Sequence, residues 1–195
     1  MKKKVLVIVA HPDDETIWMG GLLFRNRDKW DTTIISLCRK NDPDRAPKFA
    51  KACKLYKSKS FISDLEDETL DKIPSEEIKK RILSFVEGEY DEIYTHNKNG
   101  EYGHIRHIDT HNAVKKLVSS GILKCKTLLF FSYLKKPAKG TDTGFDCYAN
   151  SNASIFINLD SVEWSTKKKI IKKIYGFKQG GFEERNCRNS ESFEK

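Results

Sequence analysis

A chain of 195 residues is long enough to bury one full core, and a single domain over residues 1–195 is expected. Charged residues make up 33% and hydrophobic residues 38%, and no apolar run approaches the length of a membrane span. The net charge of +8 is spread along the chain: Lys51, Lys54, Lys57 and Lys59 read as a solvated helix face, and Lys167–Lys169, Lys172 and Lys173 as surface, so no nucleic-acid partner is expected.

In chain order, Lys4–Ala10 is a continuous, largely β-branched run, the pattern of a buried parallel strand. Lysines precede it as in a signal peptide, but the run is short and has no small-residue cleavage site after it. A cytosolic core strand is the simpler reading. Five scattered cysteines without any Cys-x-x-Cys agree with reduced thiols in that compartment. Thr16–Arg27 follows as a helix whose Gly20-Gly21 pair points to a close helix–strand approach. Thr32–Cys38 is a second strand, Ala46–Tyr56 a helix, Lys59–Ser63 a short strand, and Asp64–Ile73 an acidic surface segment. A helix over Pro74–Glu87, a strand over Glu92–His96 and a helix from about His104 to Val118 come next. Thr127–Tyr133 is a buried strand, Lys135–Ser151 irregular, and Ala153–Leu159 a further strand. Asp160 or Ser161 caps a basic helix to about Lys178, and Gly180–Lys195 reads as a polar tail of uncertain order. The alternation implies an α/β domain with a mostly parallel sheet and helices on both faces, with ligands bound beyond the carboxyl ends of the strands.

Two clusters of chemistry fall at that edge. His11-Pro12-Asp13-Asp14-Glu15 follows the first strand directly and offers ligand types that a metal prefers. An Asp at this place also suits a helix cap, the competing structural reading of Asp13 or Asp14. The second cluster, Gly103-His104-Ile105-Arg106-His107-Ile108-Asp109-Thr110-His111, puts three histidines along one side of a helix. His104 and His107 are the candidates, with His111 two turns from the first and either structural or a further ligand. His96 is either site-lining or structural, Glu15 supports the ligands or starts the helix, and Arg39 and Lys40 are weaker anion-contacting candidates.

Ala10-His11-Pro12-Asp13-Asp14-Glu15, paired with the later Gly103-His104-Ile105-Arg106-His107, resembles the LmbE-like or PIG-L family of N-acetylglucosaminyl deacetylases. Thr95-His96-Asn97 and Gly100-Glu101-Tyr102 add to the likeness, and Arg45 resembles the family's substrate-contacting arginine. The resemblance implies a Rossmann-like three-layer αβα domain and a zinc-dependent amidohydrolase that removes acetyl from an N-acetylated amino sugar. It places the metal on His11, Asp14 and His107 and the general base on Asp13. His104 would stabilise the oxyanion or protonate the leaving amine, and Arg45 and Tyr102 would contact the substrate. Zinc or iron(II) suits such a donor set. Two positions depart from the pattern. Lys48 stands where an acidic residue is expected, and Ile105-Arg106 replaces a Pro-Asp pair, removing a carboxylate that could orient a histidine. The other class of function on the same scaffold is a non-catalytic sugar- or nucleotide-binding module. That module needs neither pair of ligands and calls for a Gly-x-Gly-x-x-Gly turn, which is absent here.

Overall fold

The computed structural model describes all of residues 1–195. Its frame is a seven-stranded sheet. β1 (Lys3–Val9) lies between β2 (Trp30–Cys38) and β4 (Glu89–Thr95), with β3 (Lys59–Leu65) outside β2 and β5 (Lys124–Phe131) outside β4. These five strands are parallel. β9 (Ser190–Glu194) and β8 (Ile155–Asn158) extend the sheet past β5 in antiparallel pairing. The sheet is therefore mostly parallel, as the β–α alternation predicts.

Side chains of a strand alternate between faces. Val5, Val7 and Val9 of β1 enter one apolar cluster, with Trp18, Phe49 and Tyr56, while Leu6 and Ile8 enter a second, with Ile78, Ile82 and Val114. The first face is covered by α1 (Asp14–Asn26), α2 (Arg45–Leu55) and the π-helical continuation (Ile170–Tyr175) of α6 (Ser161–Lys169), the second by α3 (Ser75–Leu83) and α5 (Ile105–Ser119). Helices thus cover both faces, giving three layers. No helix is long and apolar enough to cross a membrane.

Several segments differ from their sequence reading. Lys135–Ser151 is not irregular throughout: β6 (Tyr133–Pro137) and β7 (Phe145–Ala149) pair as a hairpin. The basic helix is capped by Asp160 in a full capping box with Glu163, as expected, but passes into a π-helix over Ile170–Tyr175. Lys167 is not at the surface. It is fully buried, with its ammonium 2.8 Å from the equally buried Glu191. The tail is ordered as α7 (Phe182–Asn186) and β9, with Phe193 buried in the core.

That tail completes α1. The helix breaks at Met19 (φ −147°), which frees backbone groups from their usual partners. The N–H groups of Gly21 and Leu22 donate to Glu191, each at 2.8 Å, and the Trp18 carbonyl accepts the Tyr133 hydroxyl at 2.6 Å. The glycine pair does mark a close approach, though to side chains outside the sheet. A Cβ on Gly20 would lie 2.9 Å from the Tyr56 hydroxyl, and one on Gly21 would overlap both methyls of Leu159. We expect Gly21→Ala to lower stability by about 1–3 kcal/mol through overpacking, read as a lower melting temperature. Adding Leu159→Ala to that variant recovers part of the loss if the clash is its cause.

Candidate active site

Strand order reverses direction at β1: the chain passes outward to β2 on one side and resumes at β4 on the other. In such sheets the crevice opens at the carboxyl ends of those two strands. His11-Pro12-Asp13-Asp14 leaves β1 there, and His96 leaves β4.

The first turn is held in an unusual conformation. Asp13 has φ 118°, a region L-residues rarely occupy. Its N–H donates to Glu15 Oε2 at 3.0 Å. Glu15 is fully buried, and its Oε1 accepts from the hydroxyls of Thr16 (2.5 Å) and Tyr175 (2.8 Å). Burial pushes the Glu15 carboxyl up to about 7, against those hydrogen bonds. Glu15 thus supports the turn without being aimed at the cleft. Asp13 occupies the N-cap position of α1, yet its side chain makes no capping bond. Instead Oδ2 accepts from Arg45 Nη1 at 2.7 Å. Burial and then the neighbouring Asp14 charge raise the Asp13 carboxyl well above the usual range, with Arg45 opposing.

Asp14, the next residue, behaves differently. Oδ1 accepts from Trp18 Nε1 at 2.9 Å, which leaves Oδ2 turned toward the histidines. Burial works against its charge, but His107 and His96 outweigh it and hold the carboxyl well below its ordinary value. Asp14 Oδ2 lies 3.2 Å from His11 Nδ1 and 3.4 Å from His107 Nε2, and those two nitrogens are 3.3 Å apart. The opposite nitrogens meet carboxylates: His11 Nε2 contacts Asp67 Oδ1 at 2.9 Å, and His107 Nδ1 contacts Glu101 Oε2 at 2.5 Å. Burial opposes charge on both rings, but the flanking carboxylates raise their proton affinity. As neutral rings with the proton on the outward nitrogen, both turn lone pairs inward. Three acceptor atoms converging in a buried place repel one another unless a cation joins them. A tetrahedral ion with bonds of ~2.0–2.1 Å separates its ligands by ~3.3–3.4 Å. The donor set and its spacing therefore fit a zinc-type ion.

The remaining histidines each have a nitrogen committed to another hydrogen bond, although His96 Nε2 also lies 3.4 Å from Asp14 Oδ2. His96 stacks on His107 (centroids 3.8 Å apart), but its Nε2 accepts the Ala10 N–H at 3.0 Å and its Nδ1 contacts Glu101 at 2.7 Å. Burial opposes charge on His96, yet Glu101 and Asp14 raise it to about 9. The Ala10 N–H, aimed at Nε2, acts against a second proton on the ring. His104 caps α5: its Nδ1 accepts the Arg106 N–H at 3.2 Å, so its single proton sits on Nε2. Burial, with His107 and His11 beside it, lowers His104 to about 4 and keeps it neutral. His111 points away, its Nδ1 2.9 Å from the His96 carbonyl and its ring against Phe130.

Both departures from the family pattern have a structural account. Arg106 is fully buried and grips the segment after β3, through the Glu66 carbonyl and carboxylate (both 2.6 Å) and the Asp71 carbonyl (2.7 Å). That grip holds Asp67 against His11, so the segment read as acidic surface contributes to the site. The histidine-orienting carboxylates come from Asp67 and Glu101 rather than from position 106. Lys48 does not face the cleft; it ties Asp44 (2.7 Å) to the Tyr175 carbonyl (2.8 Å). The sequence reading gave no role to Glu101, although it lies in the Gly100-Glu101-Tyr102 likeness, or to Asp67. A signal existed for Glu101, because a ligating imidazole calls for an acceptor and this carboxylate lies between His96 and His107. Nothing distinguishes Asp67 from its acidic neighbours.

The cleft beside the triangle has a volume of about 290 Å³, and Asp13, Arg39, Arg45, Tyr102 and His104 all line it. Arg39 pairs with Asp67 at 2.7 Å, and the Arg45 guanidinium lies 4.3 Å above the Phe177 ring. Lys40 lines only an adjoining groove. The seven residues to which the family resemblance gives roles therefore lie together: His11, Asp14 and His107 at the triangle, and Asp13, Arg45, Tyr102 and His104 around it.

Comparison with known proteins follows the same lines. A family model described as "PIG-L: GlcNAc-PI de-N-acetylase" matches residues 6–118, a segment that contains all seven of those residues. No curated protein matches the chain by sequence. Among solved structures, a conserved protein from Thermus thermophilus superimposes with a TM-score of 0.73 at 15% identity, over 98% of this chain and 93% of that one. The N,N'-diacetylchitobiose deacetylase from Pyrococcus horikoshii gives 0.68 at 16% identity, over 98% and 82%. The 4-carboxy-2-hydroxymuconate hydratase from Pseudomonas putida gives 0.63 at 12% identity, over 87% and 78%. At these identities the likeness is one of fold, and a hydratase among the neighbours shows that the fold alone does not set the reaction. The family match spans more than half of the chain and carries both histidine–carboxylate clusters, and on that ground the chain belongs to the PIG-L family.

Proposed function

We propose that this protein is a metal-dependent deacetylase that hydrolyses the N-acetyl group of an amino sugar or GlcNAc-type conjugate. The observation that carries the reading is the triangle of His11 Nδ1, Asp14 Oδ2 and His107 Nε2, with the Asp13 carboxylate beside it in an open cleft. Family membership and the fold shared with a diacetylchitobiose deacetylase support the substrate class.

In this reading His11, Asp14 and His107 hold the metal. A divalent ion at such a set supplies Lewis acidity, lowering the pKa of a water to about 7 and polarising an amide carbonyl. Zinc is the metal we assign, and iron(II) accepts the same donors. Asp13 takes a proton from the attacking water as the new C–O bond forms. Its raised proton affinity suits that task better than a free carboxyl of pKa ~3.9 does. The Arg45 contact fixes which way the carboxylate faces. His104 has one proton, on Nε2, and donates a hydrogen bond to the developing oxyanion; loss of one such donor costs ~3–4 kcal/mol. Because His104 Nδ1 is spent on the α5 backbone, Asp13 returns the water's proton to the amine nitrogen as the C–N bond breaks. Tyr102 and Arg45 bound the space for the sugar. We assign the protein to the cytosol, in keeping with its five free cysteines.

Four outcomes test this. Chelation should abolish acetate release from N-acetylglucosamine conjugates, and added zinc or iron(II) should restore it, the better of the two naming the metal. Asp13→Asn should keep about one metal per chain by elemental analysis while losing ~10²–10⁴-fold in turnover; unaltered turnover would remove Asp13 from the role of base. His107→Ala should lose bound metal outright, and Glu101→Gln should weaken metal affinity by ~10–100-fold, measured by competition with a chromophoric chelator.

A further inference from the structure

One wall of the cleft comes from residues beyond the family match. Phe182 and Glu183 open α7 and line it. Phe182 meets Tyr102 edge-on, with ring centroids 5.0 Å apart, so two aromatic rings stand on that side. An aromatic surface suits the apolar C–H face of a pyranose ring, and polar groups at its edge suit the hydroxyls.

The charges of the cleft are unequal. Five carboxylates and two arginines line it. Both arginines are already committed, Arg45 to Asp13 and Arg39 to Asp67, each at 2.7 Å. Asp14 belongs to the triangle, and Asp42 Oδ1 accepts the N–H groups of Asp44 and Arg45 at 2.9 Å each. Glu183 is left over. It is half-buried, forms no ion pair and accepts no hydrogen bond from another side chain. Burial raises its carboxyl, and its own backbone N–H and then the Arg45 charge offset this in part. Even with a divalent ion in the triangle, formal negative charge in the cleft exceeds positive.

We propose that Glu183 is a specificity-determining residue for the deacetylation: its carboxylate accepts hydrogen bonds from the hydroxyls of an uncharged amino sugar seated against Phe182 and Tyr102, and its charge turns away sugars that carry phosphate. The inference rests on the deacetylase reading for its reaction, and it narrows the substrate class from GlcNAc-type conjugates in general to those without an anionic group at the cleft. A carboxylate in this position acts by both attraction and exclusion.

The test uses metal-loaded full-length protein with N-acetylglucosamine and its 1- and 6-phosphates. We expect kcat/KM for the neutral sugar to exceed that for either phosphate by about tenfold or more, the scale of one hydrogen bond to a charged group. Glu183→Gln keeps the shape and removes the charge. It should raise KM for the neutral sugar about tenfold and bring the ratio toward one, with the loss in KM rather than kcat. Glu183→Asp should retain part of the preference. A wild-type preference for a phosphate, or a Glu183→Gln effect that is nil or equal on all three sugars, overturns the proposal. If no sugar releases acetate, the deacetylase reading falls, and calorimetric binding of the same three sugars decides Glu183 separately. A tenfold preference for the neutral sugar that Glu183→Gln abolishes would then support the proposal, and equal or absent binding would overturn it.

Discussion

A carboxylate buried without a partner is among the most costly groups a fold can hold. Glu101 is fully buried as a side chain, and two imidazoles make it tenable: His96 Nδ1 at 2.7 Å and His107 Nδ1 at 2.5 Å share one of its oxygens, while the Asn97 N–H donates to the other. Burial opposes its charge, but the two histidines hold its carboxyl at about 2. Everything at the strand ends depends on this arrangement. It fixes the proton of His107 on the outer nitrogen and so frees the inner one. It does the same for His96, whose free nitrogen then accepts the Ala10 N–H and ties the end of β4 to the end of β1. One charge thereby bears on both the tie between two strand ends and the direction of the His107 lone pair. Glu101 itself has φ 56°, so the short helix α4 (Gly100–Gly103) carries some strain at the residue that does this.

The site is built in concentric parts. The innermost atoms come from the loops after β1 and β4, where a reversal of strand order opens a crevice. Around them, Asp67, Glu101, Trp18 and Arg45 each fix one rotamer or one proton. Farther out, Tyr175 at the end of the π-helix reaches Glu15, and Glu15 holds the backbone of Asp13. A π-helical turn is wider than an α-turn and is found mostly where function requires an irregular reach. Here it brings a hydroxyl to the one carboxylate that steadies the strained turn at Asp13.

The legible parts of this design were those with a repeating signal. β1 could be read from its unbroken apolar run, α5 from histidines at helical spacing, and the parallel sheet from the alternation of strands and helices. The two histidine–carboxylate clusters could be read because they are local in sequence. What the sequence did not show was contact over long separations from segments without period. Asp67 resembles any surface acid until Arg106 pins its loop. Lys167 belongs to a run of three lysines, and only Glu191 distinguishes it from Lys168. Phe182 and Glu183 lie in a polar tail whose order depends on β9 joining β5 and β8, a pairing of short strands that no local pattern announces.

The stitching of α1 by Glu191 sets an order of events in synthesis. The helix that carries Asp14 begins near the start of the chain, and the carboxylate that receives its freed N–H groups comes 170 residues after Gly21. At ~5–20 residues per second, an emerging chain makes the first motif roughly 10–30 s before it makes the residue that closes the helix behind it. During that interval the N–H groups at the break have no internal acceptor, and the sheet ends at β5. The turn that carries Asp13 and Asp14 is thus made well before the strand that closes α1 behind it. A ribosome-bound intermediate would carry the histidines and aspartates before it has the strand that braces the first helix.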